Sequence, residues 1–227
     1  MWWLAGLLLV AQADYTSEGM KALDEGRYDA AVTAFGKATA QDPKDYFAHF
    51  NLAMAYTLLH RDAEAVASYR RTLEIKPGLY EAELNAGIVL LRQKNAADAA
   101  GLLEDAVRQK PAEFRPRYYF AQSLLDTGDY VRAQEAFRQA IALDGKSATA
   151  QLGMAQALVQ QGKLDESAPY FREAGKLEPE YRDYLLQLAQ LYEKANQSGE
   201  AMALYREFPD NAAAQARLSR TGSHLSG

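Results

Sequence analysis

The sequence predicts an all-α solenoid of antiparallel helix pairs, and three observations carry that prediction. Phe35, Tyr69, Leu103, Phe137, Phe171 and Tyr205 follow one another at intervals of 34 residues, with no insertion or deletion. Small residues keep the same interval in two further columns: Gly19, Ala53, Gly87, Ala121, Ala155 and Ala189, then Ala31, Ala65, Ala99, Ala133, Ser167 and Ala201. Chain-stopping residues fall in register at Pro43, Pro77, Pro111, Gly145 and Pro179. A period of this length marks stacked helix pairs, in which a small residue lets two helices approach and an aromatic fills the remaining space. Each pair leaves an apolar face that only its neighbour can cover, so stability comes from stacking and not from one central core.

The elements follow in order. The first thirteen residues carry no charged side chain and end in Ala11-Gln12-Ala13, the small-x-small pattern of a cleavable export signal. Both tryptophans, Trp2 and Trp3, lie inside this segment. It is too short to cross a membrane before Asp14, so the expectation is export without membrane insertion. Six periods follow, at residues 12–45, 46–79, 80–113, 114–147, 148–181 and 182–215. Between the two helices of a period, Gly26, His60, Gly128 and Gly162 supply a turn that reverses the chain. A third column, Ala38, Thr72, Ala106, Ala140 and Ala174, is small until Phe208 breaks it, and Pro209 shortens the last period. Pro169 falls in a second helix; a start at Asp165 would keep it near the first turn, where its missing N–H costs little. Asp210 reads as the N-cap of a terminal helix over 210–220 that covers the last apolar face and is closed by Gly222. Residues 221–227 read as a flexible tail.

Composition removes several functional classes. The 227 residues include no cysteine, which excludes disulfides, cysteine-ligated zinc and thiol catalysis. The formal charge is −5, and no basic face stands out, so nucleic acid is not an expected partner. Hydrophobic content of 48% with 24% charged residues is that of a chain that folds.

These columns resemble the tetratricopeptide repeat family. The second period carries the resemblance best, with His49, Leu52, Ala53 and Tyr56, then Ala65, Tyr69 and Pro77. The first gives Tyr15, Gly19, Ala31, Phe35 and Pro43, and the fourth gives Ala121, Ala133 and Phe137 with Gly145 in place of proline. The resemblance implies a right-handed superhelical solenoid over residues 14–215, about six repeats long.

No catalytic constellation emerges. The three histidines, His49, His60 and His224, lack metal-ligand spacing: His49 reads as a packing residue, His60 as a turn residue and His224 as part of the tail. His60-Arg61-Asp62 imitates a kinase loop without the motifs that should accompany it, and Gly145-Lys146-Ser147 imitates a phosphate loop whose first glycine would be Ala140, inside a helix. Asn196-Gln197-Ser198 is a formal glycosylation sequon. Acid pairs such as Asp24 with Glu25 and Asp165 with Glu166 sit at turns and helix starts, where the helix dipole accounts for them. The expectation is a protein that is not an enzyme and needs neither cofactor nor metal.

The resemblance further implies that the first helix of each repeat lines a concave groove, through positions 2, 5, 6, 9, 12 and 13 of the 34. Carried onto this chain, the middle of the groove is Phe47, Phe50, Asn51, Met54, Leu84, Asn85, Ile88, Arg92, Tyr118, Tyr119, Gln122 and Gln156. Such an aromatic and apolar face suits a partner protein or peptide, with the amides of Asn51 and Asn85 fixing its main chain. Relatives that clamp a terminal carboxylate need a Lys, Asn and Arg set. Here those places hold Thr16, Met20, Glu81 and Asn85 around Asn51, and Phe50, Met54, Arg115 and Tyr119 around Asn85. That argues against a chaperone-tail clamp and for an apolar or amphipathic segment. The reading is an exported adaptor, periplasmic or secreted according to its source. Self-association into a homo-oligomer, or a place as the repeat region of a larger secretion component or enzyme, stand as alternatives.

Overall fold

The computed structural model describes residues 14–224; the expected export segment at residues 1–13 and the last three residues lie outside them. Among the described residues there are thirteen α-helices, one 3-10 turn and no strand. No helix among them is long and apolar enough to cross a membrane. The chain divides into two units after Asn95.

Unit 1 contains α1 (Tyr15–Asp24), α2 (Tyr28–Gln41), α3 (Tyr46–Leu58), α4 (Asp62–Ile75) and α5 (Tyr80–Arg92). Side-chain carboxylates start two of these helices: Asp14 accepts from the Ser17 N–H at 2.9 Å, and Asp45 accepts from Phe47 and Ala48 N–H at 2.9 and 3.1 Å. These bonds satisfy donors that the first helical turn leaves free. The 34-residue columns form the core. Phe35 and Tyr69 are buried, as are Ala31, Ala53 and Ala65, and a Cβ added at Gly19 would stand 2.7 Å from the Phe35 ring. Only glycine admits that ring.

Unit 2 contains α6 (Ala96–Gln109), α7 (Phe114–Thr127), α8 (Tyr130–Leu143), α9 (Ala148–Gln160), α10 (Leu164–Leu177), a 3-10 turn (Pro179–Tyr181), α11 (Tyr184–Lys194), α12 (Ser198–Arg206) and α13 (Ala212–His224). Leu103, Phe137, Phe171 and Tyr205 are all buried, as are Ala121, Ala133, Ala155, Ala189 and Ala201. Gly153 touches the Phe137 ring so closely that an added Cβ would lie 2.3 Å from it.

One turn recurs throughout the chain. Gly26, His60, Lys94, Gly128, Gly162 and Asn196 have φ between 56° and 84°, the left-handed region. In each case the next residue donates its N–H to a carbonyl five residues back, from Arg27 to Ala22 (2.8 Å) through Gln197 to Tyr192 (2.9 Å). This is the helix-ending bond that a left-handed residue permits. The sequence reading found four of the six; Lys94 and Asn196 complete the column without glycine's freedom.

Three sequence expectations need correction. Pro169 is not in the first turn: α10 starts at Leu164, so the proline lies inside the helix and leaves the Asp165 carbonyl without its usual donor. The terminal helix is capped by Asn211 and not by Asp210, since Asn211 Oδ1 accepts from Ala214 N–H at 3.0 Å. That helix also runs through Gly222 to His224, across part of the stretch expected to be a loose tail. It covers the end of the array as expected, with Ala214 buried and Leu218 packed among Leu204, Tyr205 and Phe208.

Candidate functional site

The residues expected to line a groove fall into both units, and each unit treats them differently. In unit 1, α3 carries Phe47, Phe50, Met54 and Leu58 along one stripe, three to four residues apart. Phe47 and Leu58 are 42% and 45% exposed, while Phe50 and Met54 are half-buried, with the Phe50 ring edge-on to Tyr69 at 5.9 Å. Ile88 on α5 is half-buried. The polar residues of this face are already occupied. Asn51 is buried and gives its amide N–H to the Phe47 carbonyl at 2.8 Å. Asn85 bonds the Tyr69 hydroxyl, whose pKa is raised, chiefly by burial. Arg92 grips Asp62 as a fork: Nε donates to Oδ2 at 2.7 Å and Nη2 to Oδ1, fastening α5 to the start of α4. Leu84 is buried, and so packs the core and offers little to a partner.

In unit 2, Tyr118 and Tyr119 also turn towards packing. Tyr118 stacks on Phe114 at 5.7 Å and meets Tyr119 and Phe137 edge-on at 5.1 and 6.2 Å. Burial raises its hydroxyl pKa, and Thr149 bonds that hydroxyl. Gln122 and Gln156 behave otherwise: both line a cleft of about 460 Å³ between α7, α9 and α11. This volume lies within the usual range for binding sites. Phe171 and Leu188 form its buried floor, and Leu125, Val159 and Leu191 supply apolar wall. The rim is polar, with Asp126, Tyr130, Gln160, Tyr184 and Gln187. Gln122 Nε2 donates to Asp126 Oδ1 at 2.8 Å, and Asp126 is the only charged residue lining the cleft.

Sequence reasoning missed most of these. Leu125, Asp126, Val159, Gln160 and Gln187 occupy the same groove positions, so carrying the positional rule through the fourth to sixth repeats reaches them. Tyr184, Leu188 and Leu191 have no such signal. The 3-10 turn delays α11, which starts at Tyr184 where the period set by Phe114 and Ala148 calls for 182. Gly175 marks the reason, because its Cα approaches Arg182 so closely that an added Cβ would lie 2.9 Å from the Arg182 backbone. Among the described residues, no group of three or more His, Asp or Glu side chains could hold a metal ion.

A model of the tetratricopeptide repeat matches residues 16–80, 118–176 and 152–216. A tetratricopeptide repeat and J domain-containing co-chaperone of Cryptococcus neoformans is 31% identical over 98 residues, which is 43% of this chain and 19% of the relative. The Hsp70-Hsp90 organizing protein of Triticum aestivum is 28% identical over 96 residues, or 42% of this chain and 16% of that one. The chain spans about a quarter or less of the length of the curated relatives it matches. Among solved structures, a crystal structure of MamA protein has a TM-score of 0.68 at 21% identity, covering 75% of this chain and 93% of that one. MamA from Desulfovibrio magneticus RS-1 also gives 0.68 at 21% identity, covering 73% and 94%. At such identity the likeness concerns the fold alone. With the family model lying over most of its length and the same turn joining the two helices of each period, the chain belongs to the tetratricopeptide repeat family and has that family's protein-interaction scaffold.

Proposed function

We propose that this chain is a non-catalytic adaptor that holds a segment of another protein in the cleft between α7, α9 and α11. The observation that carries this reading is the cleft itself, an apolar floor under a polar rim on adjoining first helices. The names of the co-chaperone relatives suggest a chaperone tail as the partner. Against that, no lysine or arginine lines the cleft to receive a terminal carboxylate. An apolar or amphipathic internal segment is the better match.

We also read the protein as exported to the cell envelope or beyond. The uncharged stretch from Met1 to Val10 followed by Ala11-Gln12-Ala13 supports this. The mature exported protein should then show tyrosine emission only, and tryptophan emission would overturn the cleavage.

The binding reading is tested by Leu191→Asp in the full chain, with Val131→Asp as a control. Val131 lies on α8, is 69% exposed and is no part of the cleft. Partners captured by crosslinking in the native compartment should be lost with Leu191→Asp and kept with Val131→Asp. Unchanged capture by a folded Leu191→Asp protein would reject the cleft as the site.

A further inference from the structure

Independently of the cleft, we infer that a second hollow, at the C-terminal end of α10, takes the phosphoryl group of a phosphate monoester. It has a volume of about 240 Å³, its lining includes Arg172, Gly175, Lys176, Arg182 and Glu207, and it shares no lining residue with the cleft. Two columns of the array change character to make it. Thr39, Leu73, Val107 and Ile141 are followed one period on by Gly175, and Tyr46, Tyr80, Phe114 and Ala148 by Arg182. Loss of the branched side chain admits the backbone: a Cβ added at Gly175 would lie 2.9 Å from the Arg182 Cα and 3.1 Å from its nitrogen. The glycine thus sets Arg182 beside Arg172 and Lys176, at a position where the four preceding periods carry no charge.

Both guanidinium groups are held before a ligand arrives. Arg172 donates Nε and Nη2 to Glu207 Oε1 at 3.1 and 2.8 Å, and Arg182 donates Nη2 to the Glu207 carbonyl at 2.7 Å while lying over the Phe208 ring at 4.9 Å. Groups fixed in this way lose less freedom when a ligand binds. Lys176 reaches only Glu173, at 3.3 Å in an exposed pair, and is easily redirected. Among the described residues Arg182 pairs with no carboxylate; Asp210 lines an adjoining hollow that shares only Arg182 with this one. The lining therefore sets three cations against the one carboxylate of Glu207, a surplus of two in a chain whose net charge is −5. The dipole at the end of α10 accounts for Lys176 but not for Arg182, which lies beyond the helix. That surplus selects the ligand. A carboxylate cancels one charge, whereas a phosphate monoester carries about −1.5 to −2 at pH 7 and presents three oxygens to donors from three side chains.

The test uses the full chain and two probes of one chemistry: methyl phosphate in solution, and phosphatidylcholine vesicles containing phosphatidic acid. Methyl phosphate should bind at low salt, read from its phosphorus resonance, and weaken about tenfold or more in Arg182→Gln. Arg182→Lys should recover only part of that loss, because it keeps the charge and loses the fork. Lys146→Gln removes the same charge at an exposed position outside the hollow and should bind as the natural chain does. Circular dichroism confirms that the variants are folded. Vesicle co-sedimentation that Arg182→Gln abolishes would assign the ester to a lipid headgroup, and methyl phosphate binding without co-sedimentation would assign it to a soluble ligand. Binding of neither probe, an equal loss in Arg182→Gln and Lys146→Gln, or displacement by acetate at equal concentration overturns the inference. Leu191→Asp, which disrupts the cleft, should leave methyl phosphate binding unchanged, so the two readings fail separately.

Discussion

Unit 1 and unit 2 share one period, the same core columns and the same left-handed turn, yet their first-helix faces are inverted in what they leave unused. In unit 1 the polar groups are spent: Asn51 on Phe47, Asn85 on Tyr69 and Arg92 on Asp62, leaving the apolar stripe of Phe47, Phe50, Met54 and Leu58. In unit 2 the aromatics are spent, Tyr118 among Phe114, Tyr119 and Phe137, while Gln156, Gln160 and Gln187 stand over an apolar floor and only Gln122 is bonded, to Asp126. A residue type at a groove position therefore says little alone. What matters is whether its bonding capacity is already used, because only the unused part is available to a partner.

The largest effect that would sharpen this contrast is in the cores. Phe137→Ala should cost about 3–5 kcal/mol in urea unfolding, whereas Phe47→Ala on the exposed stripe should stay within about 0.5 kcal/mol. A large cost at Phe47 would mean that the stripe is core and not surface. Next, Gly153→Ala should destabilise by about 1–3 kcal/mol, because the Phe137 ring has to move, outweighing the gain in helix propensity.

Alkaline pH comes third. Burial raises the pKa of Tyr69 in unit 1 and of Tyr118, Tyr192 and Tyr205 in unit 2, and the Asp165 carboxylate that accepts from Tyr192 at 2.8 Å adds to the shift there. Because the folded values are raised, the stability they contribute is complete below about pH 10 and is lost as pH rises towards the folded values, by about 1.4 kcal/mol per pH unit for each tyrosine. Tyr192→Phe should flatten that decline in a series of urea melts above pH 10, and an unchanged slope would deny the shift at Tyr192. The smallest effect belongs to the turn column: His60→Gly removes a left-handed strain of about 1–2 kcal/mol but frees the unfolded chain, so thermal unfolding should show a net gain of a few tenths.

Much of the fold was legible because it rests on spacing. Phe35 to Tyr205 and their small neighbours are buried as the period required, since a stacked array repeats its contacts with its sequence. The caps were less legible. Asp210 and Asn211 are both good N-caps, and only backbone geometry chose Asn211. The groove residues were half legible. The period placed them on first helices, but Leu84 and Asn51 are buried, and the use of Asn85 and Arg92 depends on Tyr69 and Asp62, which lie on α4 and reach them only through packing. Tyr118→Glu, an obvious groove probe from sequence, would put a charge among three aromatic rings and report on folding instead of binding. Tyr184 and Leu191 lie outside the groove positions of the repeat, on a helix whose start the 3-10 turn delays while Ala189 keeps its column.

The most direct test of the unit 2 cleft is amide hydrogen exchange of the full chain, with and without a peptide selected on it. The expected result is slowed exchange confined to α7, α9 and α11, residues 114–127, 148–160 and 184–194. Slowed exchange in α3 and α5 alone, residues 46–58 and 80–92, would transfer the site to the aromatic stripe of unit 1 and contradict it.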